Sequence, residues 1–172
     1  MNVLLQSRIV SQGEWYFGFT PETVSTLLGS CVAVTAWHSR LRCGGMCHYL
    51  LPHKSRYHSN GDHHLSLNPR YGEDALTLLS AELTRHAPLA EYAFGYFGGA
   101  TMFKGNQHIG ASNVDLAIHW LRDRQLNVHT VSVGGNRGKK IVLDLETGNI
   151  LINEVNTLLV GVPDGHQCTG SG

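Results

Sequence analysis

The sequence has no excess of charge of either sign and no long apolar run. Its 13 Lys and Arg residues balance 13 Asp and Glu residues, and charged residues make up only 15% of the 172-residue chain. Such a chain has no net field to draw it to nucleic acid or to an anionic membrane surface. Its apolar stretches fall well short of the ~20 residues that span a bilayer, and the first residues lack a signal-peptide pattern. We therefore expect a cytoplasmic protein with no nucleic-acid partner and no membrane insertion.

Cysteine is also scarce. The four cysteines, Cys31, Cys43, Cys47 and Cys168, are too few for a disulfide scaffold, so they are expected to be free thiols unless one is catalytic or metal-bound. Their spacing does not favour a zinc site, because strand alternation would send Cys47 and His48 to opposite faces and no second ligand pair follows. We expect neither a metal nor an organic cofactor.

The chain has the length of one ordinary domain and shows no internal repeat and no central linker. Glycine and proline are spread along it as turn residues rather than gathered at a boundary. We predict one domain over residues 1–163, followed by a flexible tail over residues 164–172. A polar, His-rich run over residues 53–64 is predicted to be a mobile loop.

Hydrophobic periodicity predicts strands interrupted by two helices. Leucines spaced by three and four residues predict a helix from Pro69 to near His86, and a second amphipathic helix is predicted to start at a cap on Ser112 or Asn113. Alternation predicts strands over residues 31–37, 44–51, 93–97, 128–133, 140–145 and 150–153. This order indicates the α+β class, and we predict a single-domain α/β sandwich with mixed β-sheets and two to three flanking helices.

Cys31 follows a Gly29-Ser30 turn at the start of a predicted strand. Backbone N–H groups of Ser30 and Cys31 could form an oxyanion hole there, but a thiol with a pKa of about 8.5 needs a nearby imidazole to become a nucleophile. A two-residue turn at positions 39 and 40 would set His48 opposite Cys31, whereas another loop length would shift the register. On spacing alone, a buried apolar cysteine and an unrelated histidine remain open alternatives.

Six ordered blocks lie between residues 23 and 153: TLLGSCVAV (26–34), GGMCHYLLP (44–52), YGEDAL (71–76), FGGATMF (97–103), IGASNV (109–114) and GGNRGKKI (134–141). Together they resemble the CheD family of chemoreceptor glutamine deamidases. Ordered blocks over most of a chain are far more specific than any one motif.

The resemblance implies a catalytic mechanism. Cys31 would attack the side-chain amide of a receptor glutamine, release ammonia and leave a thioester, with His48 as general base and acid. The family's third residue is a hydroxyl six positions before the cysteine, so we expect Ser25 to orient His48, with Thr26 as the fallback. Ser112 stands where the family commonly has arginine, which implies an altered recognition of substrate or partner.

Three further features are expected near the active site. Gly98-Gly99 and Gly134-Gly135 are predicted to be turns that bring backbone close to the cleft, since neither pair fits a phosphate-binding motif. Asn113 is a further candidate cleft residue.

The resemblance also implies partners. The substrate would be the cytoplasmic helices of methyl-accepting chemoreceptors, and a second partner would be the CheC phosphatase. An alternative is a non-catalytic module that regulates CheC while its deamidase site is idle. A third hypothesis is a cysteine peptidase, which would use the same two residues on backbone amides.

Overall fold

The computed structural model describes residues 5–54, 66–105 and 107–156. The strands are β1 Gln6–Ile9, β2 Glu14–Phe19, β3 Glu22–Leu28, β4 Val32–His38, β5 Cys43–Tyr49, β6 Ala93–Gly98, β7 Val128–Val133, β8 Gly138–Asp144 and β9 Ile150–Val155. The helices are α1 Gly72–Thr84 and α2 Gln107–Asp123, with a 3₁₀ turn at Leu89–Glu91 between them. The tail predicted over residues 164–172 and most of the predicted His-rich loop lie outside the described residues.

The strands form two mixed sheets. A four-stranded sheet has the order β1-β3-β8-β9, and a five-stranded sheet has the order β2-β5-β4-β6-β7. The β1/β3 and β6/β7 pairs are parallel, and the other neighbours are antiparallel. These sheets and two helices confirm the predicted α+β class. Within the described ranges no helix has the length and apolar character needed to cross a membrane.

The five-stranded sheet is the middle of three layers. On β4, Val32 and Val34 pack with buried side chains of α1 and α2, while Ala33 between them packs with core residues of β3 and β8. A strand covered on both faces reads as a nearly continuous apolar run, which is how the β4 sequence VAVTAWH reads. Each fully buried aliphatic side chain contributes about 1.5–3 kcal/mol, so both faces of this sheet hold the fold together.

The second helix begins earlier than predicted. It starts at Gln107, so Ser112 and Asn113 lie inside the helix and the predicted cap is wrong. A glycine in this first part, Gly110, weakens the helical pattern in sequence. Packing requires glycine at this position, because a Cβ there would lie 2.6 Å from the carbonyl oxygen of Gly99.

The hairpin between β4 and β5 has a longer turn than predicted. Four residues, 39–42, connect the strands, and Arg42 takes a left-handed conformation with φ 46°. His48 therefore pairs with Ala33, and the predicted pairing of His48 with Cys31 is wrong by two residues. Because side chains alternate with a period of two, a shift of two residues keeps His48 on the face predicted for it. Cys31 directly precedes β4 and packs in the same cluster as Ala33, the residue that His48 pairs with.

Candidate active site

Cys31 lies in loop 29–31, which joins β3 of one sheet to β4 of the other. Its side chain is 7% exposed and borders a cleft of about 230 Å³ that is also lined by Ser30, Met102, Phe103 and Gly138. Burial raises the pKa of the Cys31 thiol to about 11. The thiol is therefore neutral near pH 7 and needs a base to react.

His48 is a buried residue on β5 with one nitrogen held in place. Its Nδ1 lies 2.7 Å from Oγ1 of Thr26, and that hydroxyl lies 2.6 Å from the carbonyl oxygen of Val10. A carbonyl only accepts, so the single hydroxyl proton goes to Val10 and Nδ1 of His48 donates to Thr26. The other ring nitrogen, Nε2, is consequently the basic one. Nε2 is buried and has no hydrogen-bond partner in the described chain.

Burial also determines the charge of the imidazole. It lowers the pKa of His48 to about 4, against smaller opposing contributions from the Val10 carbonyl and the Glu14 carboxylate. A thiol with a raised pKa and an imidazole with a lowered pKa are both neutral near pH 7. The two groups can therefore act together only if the imidazole removes the thiol proton during the reaction.

Thr26, the fallback in the sequence prediction, makes the hydroxyl contact with His48, and the assignment of Ser25 to this position is corrected. Both residues lie on β3, where successive side chains point to opposite faces. The Thr26 side chain faces the five-stranded sheet and reaches His48. The Ser25 side chain points the other way, and its backbone carbonyl accepts a hydrogen bond from Val10 N–H at 2.8 Å.

All three carbonyl groups of loop 29–31 are hydrogen-bonded. In chain order they accept from Ala100 N–H at 2.9 Å, Asn113 Nδ2 at 3.1 Å and Gly99 N–H at 2.9 Å. The N–H groups of the last two loop residues, by contrast, donate to no other residue in the described ranges, and the Cys31 N–H lies near its own sulfur. The loop therefore turns its carbonyls into the protein and leaves two N–H donors free beside the thiol.

The two glycine pairs form tight turns, and only one of them touches the loop. Gly98 and Gly99 have φ 103° and 64°, and a Cβ on Gly98 would lie 2.2 Å from the carbonyl oxygen of Cys31. Gly134 and Gly135 have φ 77° and 75°, and Gly134 N–H donates to Gly98 O at 2.9 Å. Neither pair lines the cleft. Gly98-Gly99 contacts the loop directly, and Gly134 holds Gly98 in turn.

The cleft differs from the predicted one: it lacks Asn113 and has two residues that were not predicted. Asn113 is fully buried behind the loop and does not line the cleft. Met102 and Phe103 do line it, and Phe103 is 72% exposed. Neither of the two was among the residues predicted to line the cleft.

The described side chains form no group of three or more His, Cys, Asp or Glu residues placed to hold a metal ion. Cys47 packs against the helices while His48 faces the other sheet, as strand alternation predicted. The sequence-adjacent pair therefore cannot share one metal ion.

Together these features define an α+β protein in which a thiol and a hydroxyl-bound imidazole share one sheet face beside a cleft. The family model described as CheD chemotactic sensory transduction matches residues 50–154. The chain is 34% identical over 148 residues to the probable chemoreceptor glutamine deamidase CheD 1 of Chromobacterium violaceum, covering 83% of this chain and 74% of that protein. The chain belongs to the CheD family, which confirms the resemblance.

Two further relatives show how much of the chain the family covers. The probable chemoreceptor glutamine deamidase CheD of Pseudomonas syringae pv. tomato is 33% identical over 151 residues, covering 84% of this chain and 86% of that protein. The probable chemoreceptor glutamine deamidase CheD 2 of Albidiferax ferrireducens is 35% identical over 161 residues, covering 90% of each chain. A match over 90% of this chain has to include residues 26–48, which lie outside the family-model match.

Proposed function

We propose that this chain is a cysteine-dependent protein-glutamine deamidase that converts glutamine side chains of methyl-accepting chemoreceptors to glutamate. The observation that carries the proposal is the basic, unpartnered Nε2 of His48 in the described chain, on the residue that pairs with Ala33, beside which Cys31 packs. Relatives named probable chemoreceptor glutamine deamidases support the choice of a receptor glutamine as the substrate. The reaction would take place in the cytoplasm, where the receptor helices lie.

In the first half-reaction the Cys31 sulfur attacks the carboxamide carbon while His48 Nε2 takes the thiol proton. The negative charge that develops on the amide oxygen is met by the N–H groups of Ser30 and Cys31, each contributing ~3 kcal/mol to the transition state. The C–N bond then breaks, and the imidazolium gives its proton to the departing ammonia. A thioester between Cys31 and the former glutamine remains.

In the second half-reaction water replaces ammonia. His48 Nε2 removes a proton from the water as it attacks the thioester carbon, and the same N–H donors stabilise the new oxyanion. The C–S bond breaks, the proton returns to sulfur, and glutamate leaves. Throughout, the Thr26 hydroxyl keeps the ring proton on Nδ1, so that Nε2 stays available.

The neutral state of both groups is compatible with this sequence of steps. Burial disfavours a lone thiolate or a lone imidazolium, but proton transfer creates the two charges at once and close together. Their attraction in a poorly solvated site offsets part of the burial penalty. The reactive ion pair therefore forms during attack rather than before substrate binds.

Mass spectrometry of a chemoreceptor cytoplasmic fragment tests the proposal. After incubation with wild-type protein, specific glutamines are expected to become glutamates, and the Cys31→Ala variant is expected to abolish the conversion. Cys47→Ala is the matched control, because Cys47 is also a buried thiol but faces the helices. A receptor left unchanged by the wild type would contradict the proposal and favour a module that binds and regulates the CheC phosphatase.

A further inference from the structure

Asn113 connects the two strand ends that carry the thiol and the imidazole. Its side chain is fully buried on α2, and Nδ2 donates to the carbonyl oxygen of Ser30 at 3.1 Å and to that of Leu50 at 2.8 Å. Ser30 immediately precedes Cys31, and Leu50 follows the last residue of the strand that carries His48. One side-chain amide therefore fixes both backbone segments against the helix.

The orientation of this amide follows from its partners. Both are carbonyl oxygens, which only accept, so the NH₂ group of Asn113 faces them and both of its hydrogens are used. The Oδ1 atom is buried and receives no hydrogen bond from the described part of the chain. An apolar residue here would avoid the unpaired Oδ1 but would take this donor away from the carbonyls of Ser30 and Leu50. The amide therefore serves two carbonyls at once and leaves one acceptor of its own unpaired.

The bond to Ser30 has a consequence for Cys31. In a trans peptide the C=O of one residue and the N–H of the next point in opposite directions. With the Ser30 carbonyl held toward α2, the Cys31 N–H points away from the helix and toward its own sulfur, and no other residue in the described ranges accepts it. That N–H is one of the two donors proposed for the oxyanion.

We propose that Asn113 is a positioning residue that fixes the Ser30–Cys31 peptide plane so that its N–H is held for the oxyanion. The inference rests on the proposed function, in which Cys31 is the nucleophile. Asn113 itself touches neither substrate nor thiol. Its contribution is expected only in steps that pass through an oxyanion.

Two reactions of Cys31 separate this role from a general loss of structure. Acylation by p-nitrophenyl acetate passes through an oxyanion: sulfur bonds to the acetyl carbon, nitrophenolate leaves, and the thiol proton passes to His48 Nε2 and then to the buffer. Alkylation by iodoacetamide does not, since sulfur displaces iodide at a saturated carbon. The Asn113→Ala variant is expected to acylate at least ~10-fold more slowly, toward the ~10²–10³-fold loss typical of a missing oxyanion donor. Its alkylation rate is expected to stay unchanged.

Two further variants control for folding. Tyr49→Phe removes the hydrogen bond from the Tyr49 hydroxyl to the Asn113 backbone carbonyl, 2.6 Å long, and leaves the side-chain amide in place. It is expected to lower stability without separating the two reactions. Asn113→Ser keeps one hydroxyl proton for the two carbonyls, so it is expected to show an intermediate loss of acylation. It replaces the alanine variant in this test if that variant does not fold.

The outcomes are distinct. Equal losses of acylation and alkylation in the Asn113 variants, or no loss of either, would overturn the positioning role. So would wild-type protein that is not acylated at Cys31, because the loop would then provide no oxyanion donor. With the receptor fragment, kcat is expected to fall while KM stays unchanged. If wild-type protein fails to deamidate the receptor, the proposed function fails, and the two small-molecule reactions still decide the role of Asn113.

Discussion

The Thr26 hydroxyl fixes the tautomer of His48, because it lies 2.7 Å from Nδ1 and gives its own proton to the Val10 carbonyl. Valine has the shape of threonine without the hydroxyl, so Thr26→Val removes the shorter contact of Nδ1 with little change in packing and leaves only the Val10 carbonyl, 3.4 Å away. Deamidase kcat is expected to fall by about 10- to 10²-fold, part of the ~10²–10⁴-fold that a positioned general base contributes. Ammonia release with a receptor fragment measures the effect.

Ser25→Ala is the matched control for that prediction, since Ser25 is the neighbouring hydroxyl on β3 and faces the opposite way. It is expected to retain wild-type kcat. A large loss in Ser25→Ala together with an active Thr26→Val would return the orienting role to the residue at the family's usual spacing.

The pH dependence of activity is expected to follow from burial. The lowered pKa of His48, about 4, keeps its imidazole unprotonated and able to accept the thiol proton as the pH falls toward that value. The raised pKa of Cys31, about 11, keeps the thiol protonated as the pH rises. Plots of kcat/KM should therefore be level from about pH 5 to about pH 9 and decline below that range as His48 protonates.

A preformed thiolate–imidazolium pair predicts a different profile. The imidazolium would then have a raised pKa, and activity would require both groups to stay charged. Activity would fall at acid pH as the thiolate gains a proton, and at basic pH as the imidazolium loses one. A bell-shaped profile with both limbs between about pH 5 and about pH 9 would contradict the neutral pair. Circular dichroism at each pH separates loss of fold from loss of activity.

Phe103 is expected to contact the substrate. It lines the cleft beside Cys31 and is 72% exposed, so burying its ring under a bound helix would contribute about 1.5–3 kcal/mol. Phe103→Ala should therefore raise KM for the receptor fragment about 10-fold or more, with the rate of Cys31 alkylation unchanged. Steady-state kinetics separates KM from kcat.

Leu41→Ala is the control for an exposed apolar side chain away from the site. Leu41 is 44% exposed and lies in the hairpin loop at the opposite end of β4 from Cys31. It is expected to leave both KM and kcat unchanged. An unchanged KM in Phe103→Ala would mean that the substrate approaches the cleft from another side.

The sequence predicted the elements with strong periodicity and missed those without it. The α1 leucines gave a correct element, because Leu76, Leu79 and Leu83 recur at helical spacing on one buried face. The first three strands were not predicted, since Glu14–Phe19 is an edge strand rich in aromatics and Glu22–Leu28 mixes polar and apolar residues. Their positions depend on pairing with distant strands, which no local pattern shows.

Part of the site was predictable because it depends only on strand alternation. The face of His48 relative to Cys31 follows from parity, so it survived a wrong turn length. Which of two adjacent hydroxyls reaches His48 depends on how the four-stranded sheet packs on the five-stranded sheet, and that packing has no signal in the sequence of β3. The bridging amide of Asn113 is another such case, because its two partners lie 83 and 63 residues away in sequence.

Gly98 and Gly135 offer a matched test of how the nucleophile loop is held. Both have positive φ, so alanine at either position carries a backbone penalty of about 1–2 kcal/mol. A Cβ on Gly135 meets nothing within 4 Å, whereas one on Gly98 would lie 2.2 Å from the carbonyl oxygen of Cys31 and force that peptide to move. Gly135→Ala is therefore expected to unfold at a slightly lower urea concentration and keep its deamidase kcat. In Gly98→Ala, kcat is expected to fall by more than the loss of stability explains, because the displaced carbonyl moves the thiol away from His48. Equal kcat in the two variants would show that the loop tolerates the shift.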